Sequence, residues 1–270
     1  MLLSGCSTKF VYKNFDWLVY WYVDDFVELS NEQEEIVDEK LKQWLIWHKT
    51  HELPKYLEHL KQLSSDIQTR QINFDRIDYH QSRASEHWIR LKERVIPDLV
   101  EMAPLLTEKQ VESMFKELDD INSEDAEERE EHLALSDEER KKKTIRRNKK
   151  NLERWLGKLN REQEQLIEDT YDDYHPNGEL WSQYKVRYQA ELRALFDNSD
   201  RSKDFMDKLQ SMLMNPEVYR SEGLTQRNLE NGIKNKELLV RLDSLSTVKQ
   251  RKHLLEEIAE FAEDVQALMQ

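Results

Sequence analysis

Few residues in this chain carry reactive or ligating side chains, and their spacing limits what they can do. Cys6 is the one cysteine in 270 residues, so no intramolecular disulfide can form. Asp24 and Asp25 are adjacent. On a helix that turns their carboxylates about 100° apart. Such a pair reads as one solvated carboxylate and one that meets an Arg or caps a neighbouring helix, not as an acid and a base at one centre. Histidines stand at 48, 51, 59, 80, 87, 132, 175 and 253. His48-x-x-His51-Glu52 and Asp172-x-x-His175 have spacings that could share a metal. Neither supplies the four-ligand set of structural zinc, and no His-Glu-x-x-His occurs. A Gly-rich phosphate loop and a Gly-x-Ser-x-Gly elbow are both missing. The expectation is no catalytic residue, no metal and no cofactor.

Cys6 is preceded by Leu3-Ser4-Gly5. An aliphatic residue, two small ones and a cysteine resemble the box of bacterial lipoproteins. In that class a peptidase with little room for side chains cuts before the cysteine. The thiol then carries a diacylglycerol and the new amino terminus a third acyl chain. Each buried methylene contributes about 0.8 kcal/mol, so several chains anchor where one would not. The resemblance makes Cys6 the lipidation site, residues 1–6 the remnant of a signal and residues 7–13 a tether. Only five residues precede Cys6, too few for a basic region and an apolar one. The expectation is a start called too late or a trimmed signal. Ser7 follows the cysteine, not the Asp that retains the class in the inner membrane. The class therefore implies an outer-membrane anchor facing the periplasm.

Composition points to helices. Charged residues make up 36% and mean hydropathy is -0.90, and no apolar run is long enough to span a bilayer. Seven Trp, ten Tyr and eight Phe still supply a core, which a disordered polyampholyte would lack. Five Gly and five Pro are too few for the turns that sheets need. The net charge of -14 argues against nucleic acid as a partner.

The elements follow from apolar spacings of three and four. Asn14 caps a first helix to about Leu29. In it Trp17, Leu18, Tyr20, Trp21 and Val27 either pack into the core, the preferred reading, or lie at a membrane interface. Ser30 opens a second helix, with Ile36, Val37, Leu41, Trp44, Leu45 and His48 on one face, and Pro54 breaks or kinks it. Asp75 caps the next, lined by Ala84, Trp88, Leu91, Val95, Leu99 and Met102. Thr107 opens another. Residues 123–139 are mostly acidic. Residues 140–150, RKKKTIRRNKK, are strongly basic and read as a solvated helix partly paired with the acids before it; docking on anionic head groups is the other reading. Asp137 to Tyr174 as one helix would measure about 57 Å. His175-Pro176-Asn177-Gly178 is a turn. Thr225 caps a helix to about Leu245, and Thr247 opens the last, with Leu254, Ile258, Phe261, Val265 and Leu268 as its stripe. The fold expected is an all-α, elongated bundle of about nine helices with no sheet, over residues 14–270.

One motif recurs: Leu29-Ser30-x-x-Gln33, Leu106-Thr107-x-x-Gln110, Leu135-Ser136-x-x-Glu139 and Leu159-Asn160-x-x-Gln163. The cap oxygen accepts the amide three residues on, and the Gln or Glu reaches back, which makes a capping box. Leu106 to Gln110 also resembles the Leu-Thr-x-x-Gln signature of small periplasmic helical chaperones. Asn14-Phe15-Asp16-Trp17-Leu18 and Tyr22-Val23-Asp24-Asp25-Phe26-Val27, behind the cysteine, resemble an uncharacterised family of Gram-negative lipoproteins. The family resemblance implies an all-helical lipoprotein and adds nothing on mechanism. The missing catalytic and cofactor constellations, in a chain rich in aromatic packing surface, lead to the expectation of a lipid-anchored, non-catalytic interaction or scaffold protein facing the periplasm. It would meet the membrane through Cys6 and a protein or envelope component through its helices. The alternative, implied by Leu106 to Gln110, is a client-binding chaperone.

Overall fold

A computed structural model describes residues 14–198 and 200–269. Cys6 and the tether at 7–13 lie outside the described residues. Within them the chain is all-α, with no strand. The α-helices are α1 (Phe15–Phe26), α2 (Asn31–Trp47), α3 (Leu53–Gln68), α4 (Phe74–Met102), α5 (Glu108–Ala134), α6 (Asp137–Leu156), α7 (Arg161–Asp169), α8 (Gly178–Asp197), α9 (Lys203–Met214), α10 (Glu222–Leu245) and α11 (Val248–Leu268). A π turn, His48–Glu52, joins α2 to α3. It stands just before Pro54, whose missing N–H interrupts the ordinary i to i−4 ladder, so the wider turn absorbs the fault without stopping the helix.

The chain forms two compact units. One takes in the chain up to Glu52, Glu86–Glu128 and Gly178–Glu222; the other takes in Leu53–Ser85, Arg129–Asn177 and the chain from Gly223 on. The first has a core of Ile96, Val100, Ala103, Val111, Phe115, Phe196, Phe205 and Leu209. Its rings meet edge to face, Phe115 on Phe196 at 6.0 Å and Phe196 on Phe205 at 5.2 Å, the arrangement the ring quadrupoles favour. The second packs α3 along α11 and buries Leu156, Leu159 and Ile167, with Ile145, Leu152 and Leu254 against them.

Several local expectations are corrected. Asn14 sits at the N-cap of α1 but its side chain makes no cap bond. α4 is capped by Asn73, whose Oδ1 accepts the Arg76 amide at 2.9 Å, and not by Asp75. α10 begins at Glu222, three residues ahead of Thr225. The long helix from Asp137 does not run through: Gly157, at φ 68° and ψ -157°, ends α6. That region of backbone space is nearly restricted to glycine, and Asn160 then caps a new helix, α7. On α4 the buried apolar residues are Ile77, Ile96 and Val100, while Trp88 and Leu99 are exposed. The inward face lies about one residue off the expected stripe, because it also carries His87, Arg90 and Asp98, which an apolar count overlooks. On α11 Ile258, Val265 and Leu268 are buried but Phe261 is not.

The largest correction concerns α1. No residue of this helix is buried, and Trp17, Trp21 and Tyr22 are 57%, 61% and 61% exposed. Only Val27, just past its end, enters the core. A spacing of apolar residues shows which of them share a face. It does not show that another element covers that face.

Candidate functional site

The four recurring boxes all form, a fifth forms at Thr247-x-x-Gln250, and four of the five are tied in pairs. In the first unit Gln33 Oε1 accepts the Ser30 amide at 2.9 Å, and Gln110 Oε1 accepts the Thr107 amide at 2.9 Å. Each Gln then has an NH2 left to donate. Gln110 donates to Gln33 Oε1 at 2.7 Å and to the Glu28 carbonyl at 2.7 Å. Gln33 donates to Gln110 Oε1 at 3.1 Å and to the Leu105 carbonyl at 2.8 Å. Each amide thus reaches the carbonyl two residues before its partner's cap, a local two-fold arrangement.

The second unit repeats it with Asn160-x-x-Gln163 and Thr247-x-x-Gln250. Gln250 donates to Gln163 Oε1 at 2.8 Å and to the Lys158 carbonyl at 3.0 Å. There Asn160 Nδ2, not Gln163, reaches the Leu245 carbonyl, at 3.2 Å. Gln163 is wholly buried. The box at Ser136 ends in Glu139, and a carboxylate has no N–H to donate across. The motif that resembled a chaperone signature is therefore committed to joining helices.

Each unit also buries a carboxylate: Glu52, which the sequence offered only as a possible metal ligand beside His48 and His51, and Asp66, which it did not single out. Glu52, the last residue of the π turn, is wholly buried. Arg90 holds it with Nε at 2.9 Å from Oε2 and Nη2 at 2.8 Å from Oε1, the forked geometry that suits a carboxylate. His87 Nδ1 lies 2.6 Å from Oε1. In the second unit Asp66 accepts Arg76 Nε at 2.9 Å and Gln62 Nε2 at 3.0 Å. His80 Nε2 stands 2.9 Å from Asp66 Oδ2, and His80 Nδ1 lies 3.0 Å from His59 Nε2.

A left-handed residue, Arg70 at φ 55°, turns the chain between α3 and α4 and brings these groups together. Burial alone would raise the Asp66 pKa; the bonds from Arg76, His80 and Gln62 outweigh it and hold the carboxyl below its ordinary value. Asp98 is held low in the same way, against burial, by Lys40 at 2.7 Å and Trp44 Nε1 at 2.7 Å.

The residues weighed in the sequence are not gathered into one place. Asp24 and Asp25 are exposed on α1. His51 is exposed, with Nδ1 2.6 Å from Thr50 Oγ1. His175 lies 3.4 Å from Glu230. Among the described residues no three His, Cys, Asp or Glu side chains are placed to hold a metal ion, and no helix is long and apolar enough to cross a membrane. The basic run on α6 is partly paired, with Lys142 on Glu138 at 2.8 Å. Other partners come from further along the chain than expected: Asp172 for Lys141 at 2.6 Å, and Glu164 and Glu168 for Lys149 at 3.0 and 2.8 Å.

Fold and networks together define an all-helical protein of two units whose buried polar groups fix helix against helix. Residues 25–223, most of the chain, match the family of unknown function DUF6279, and the chain belongs to that family. No curated protein and no solved structure matches it.

Proposed function

We propose that the protein is a lipid-anchored, non-catalytic interaction module of the bacterial envelope. It is acylated at Cys6, held at the outer membrane and turned to the periplasm, where its helices meet a protein or envelope partner. The observation that carries this reading is the exposure of tryptophan. Four of the seven, Trp17, Trp21, Trp88 and Trp155, are exposed, although Trp gains more from burial than most side chains. Trp is also the residue most enriched among those that dominate protein interfaces. Buried ionisable groups such as Glu52 and Asp66 are engaged in joining helices.

The anchor is tested by labelling cells with a fatty-acid probe and fractionating their membranes. Wild type is expected to label and to sediment with the outer membrane, and Cys6→Ala to do neither. A Cys6→Ala variant that stays membrane-bound and labelled overturns the anchor. The partner face is tested by cross-linking, where Trp88→Ala or Trp155→Ala should lose a partner that wild type captures. A client-binding chaperone is the second reading, favoured by the same exposed side chains. Suppression of client aggregation at near-stoichiometric ratio, lost in the same variants, would select it.

A further inference from the structure

We propose that the aromatic face of α1 is a second membrane contact, inserted in the head-group layer of the bilayer to which Cys6 is anchored. The inference rests on the lipid-anchor reading and adds to it where the first helix lies. Trp17 and Trp21 are one turn apart and stack at 6.5 Å with planes 15° apart. Both are more than half exposed, with Tyr22 beside them. Ten residues lie between Cys6 and Trp17, so the two are at most about 40 Å apart along the chain. Aromatic rings are the residues that interfaces favour.

The helix is also graded along its length. Trp17 stands near the end closer to the anchor, and Trp21 just past the middle. Asp24 and Asp25, both exposed, stand about 10 Å beyond Trp17 and about 5 Å beyond Trp21 along the axis. A helix so built enters the interface tilted, with Trp17 deepest and Asp24 and Asp25 left toward water. With Asp16, Asp24 and Asp25 and no Lys or Arg, α1 is itself anionic. The occupant is therefore the interfacial layer of a zwitterionic surface, not an anionic head-group cluster.

The test removes the anchor so that α1 acts alone. Full-length Cys6→Ser protein is sedimented with phosphatidylcholine vesicles, beside the same chain carrying Trp17→Ala and Trp21→Ala. The parent is expected to partition onto vesicles and the double variant to lose about tenfold or more. Trp88→Ala should bind as the parent does. Trp17→Tyr with Trp21→Tyr should retain part of the binding, which guards against a general loss of fold. Quenching by brominated lipid should occur in the parent and vanish in the double alanine variant. A parent that does not partition, or a double variant that partitions equally, overturns the inference. Either result leaves the anchor to be judged by fatty-acid labelling of wild type. An unlabelled wild type whose Cys6→Ser form still binds through the tryptophans would overturn the anchor alone.

Discussion

Asp66 is a carboxylate held ionised inside a helical unit, and its stability contribution depends on pH. Its folded pKa lies below the ordinary value because donors from Arg76, His80 and Gln62 outweigh burial. A carboxyl of depressed pKa stabilises the fold fully above its unfolded pKa of about 3.9 and loses that contribution as pH falls through the folded value. The free energy of unfolding in urea should therefore decline as pH is lowered from about 5 to about 3. In Asp66→Asn the decline should be shallower and the stability near neutrality lower. A slope unchanged by the substitution would remove Asp66 as its source. None of this was legible in the sequence. Arg76 and His80 stand ten and fourteen residues away, and a non-glycine left-handed turn at Arg70 is what folds them back.

Helix starts were the most legible elements, because a capping box is written in four consecutive residues. The pairing of boxes was not read, though a local signal existed. Four of the five boxes end in Gln and one in Glu, and only Gln has an N–H to give away. Gln33→Glu keeps its own cap but loses the donor to Gln110 and the Leu105 carbonyl, and it places a charge against an amide oxygen. It should cost about 1–3 kcal/mol in chemical denaturation. Glu139→Gln, on an unpaired box, should stay within about 0.5 kcal/mol of wild type. Equal effects at the two sites would mean that the cross-helix bonds contribute nothing. The break at Gly157 was missed as well, although its signal is local: a lone glycine three residues before a cap residue marks an end and a restart.

For the molecule as a whole, composition gave the class directly: scarce Gly and Pro with abundant aromatics led to an all-α chain. What composition could not give was the fate of each apolar face, since burial depends on what the rest of the chain brings to it. The α1 tryptophans and Phe261 are the instances. Charge is a whole-molecule property as well. The net -14 surrounds a basic helix whose Lys141, Lys142 and Lys149 are already paired. Duplex DNA should therefore not be retained in a filter-binding assay at physiological salt. Retention abolished by Lys143→Glu with Arg147→Glu would show that the unpaired part of α6 suffices.

The two-fold glutamine pairs also set an order of events. Within a box the bonds close over three residues, on the time scale of a single helical turn. The bonds between boxes join residues 77 and 87 apart in the chain, and they must wait until everything between has folded back. They belong to the last moments of folding and the first of unfolding. Weakening them should leave the refolding rate nearly untouched and shorten the lifetime of the folded state instead. That lifetime is the property the paired boxes govern.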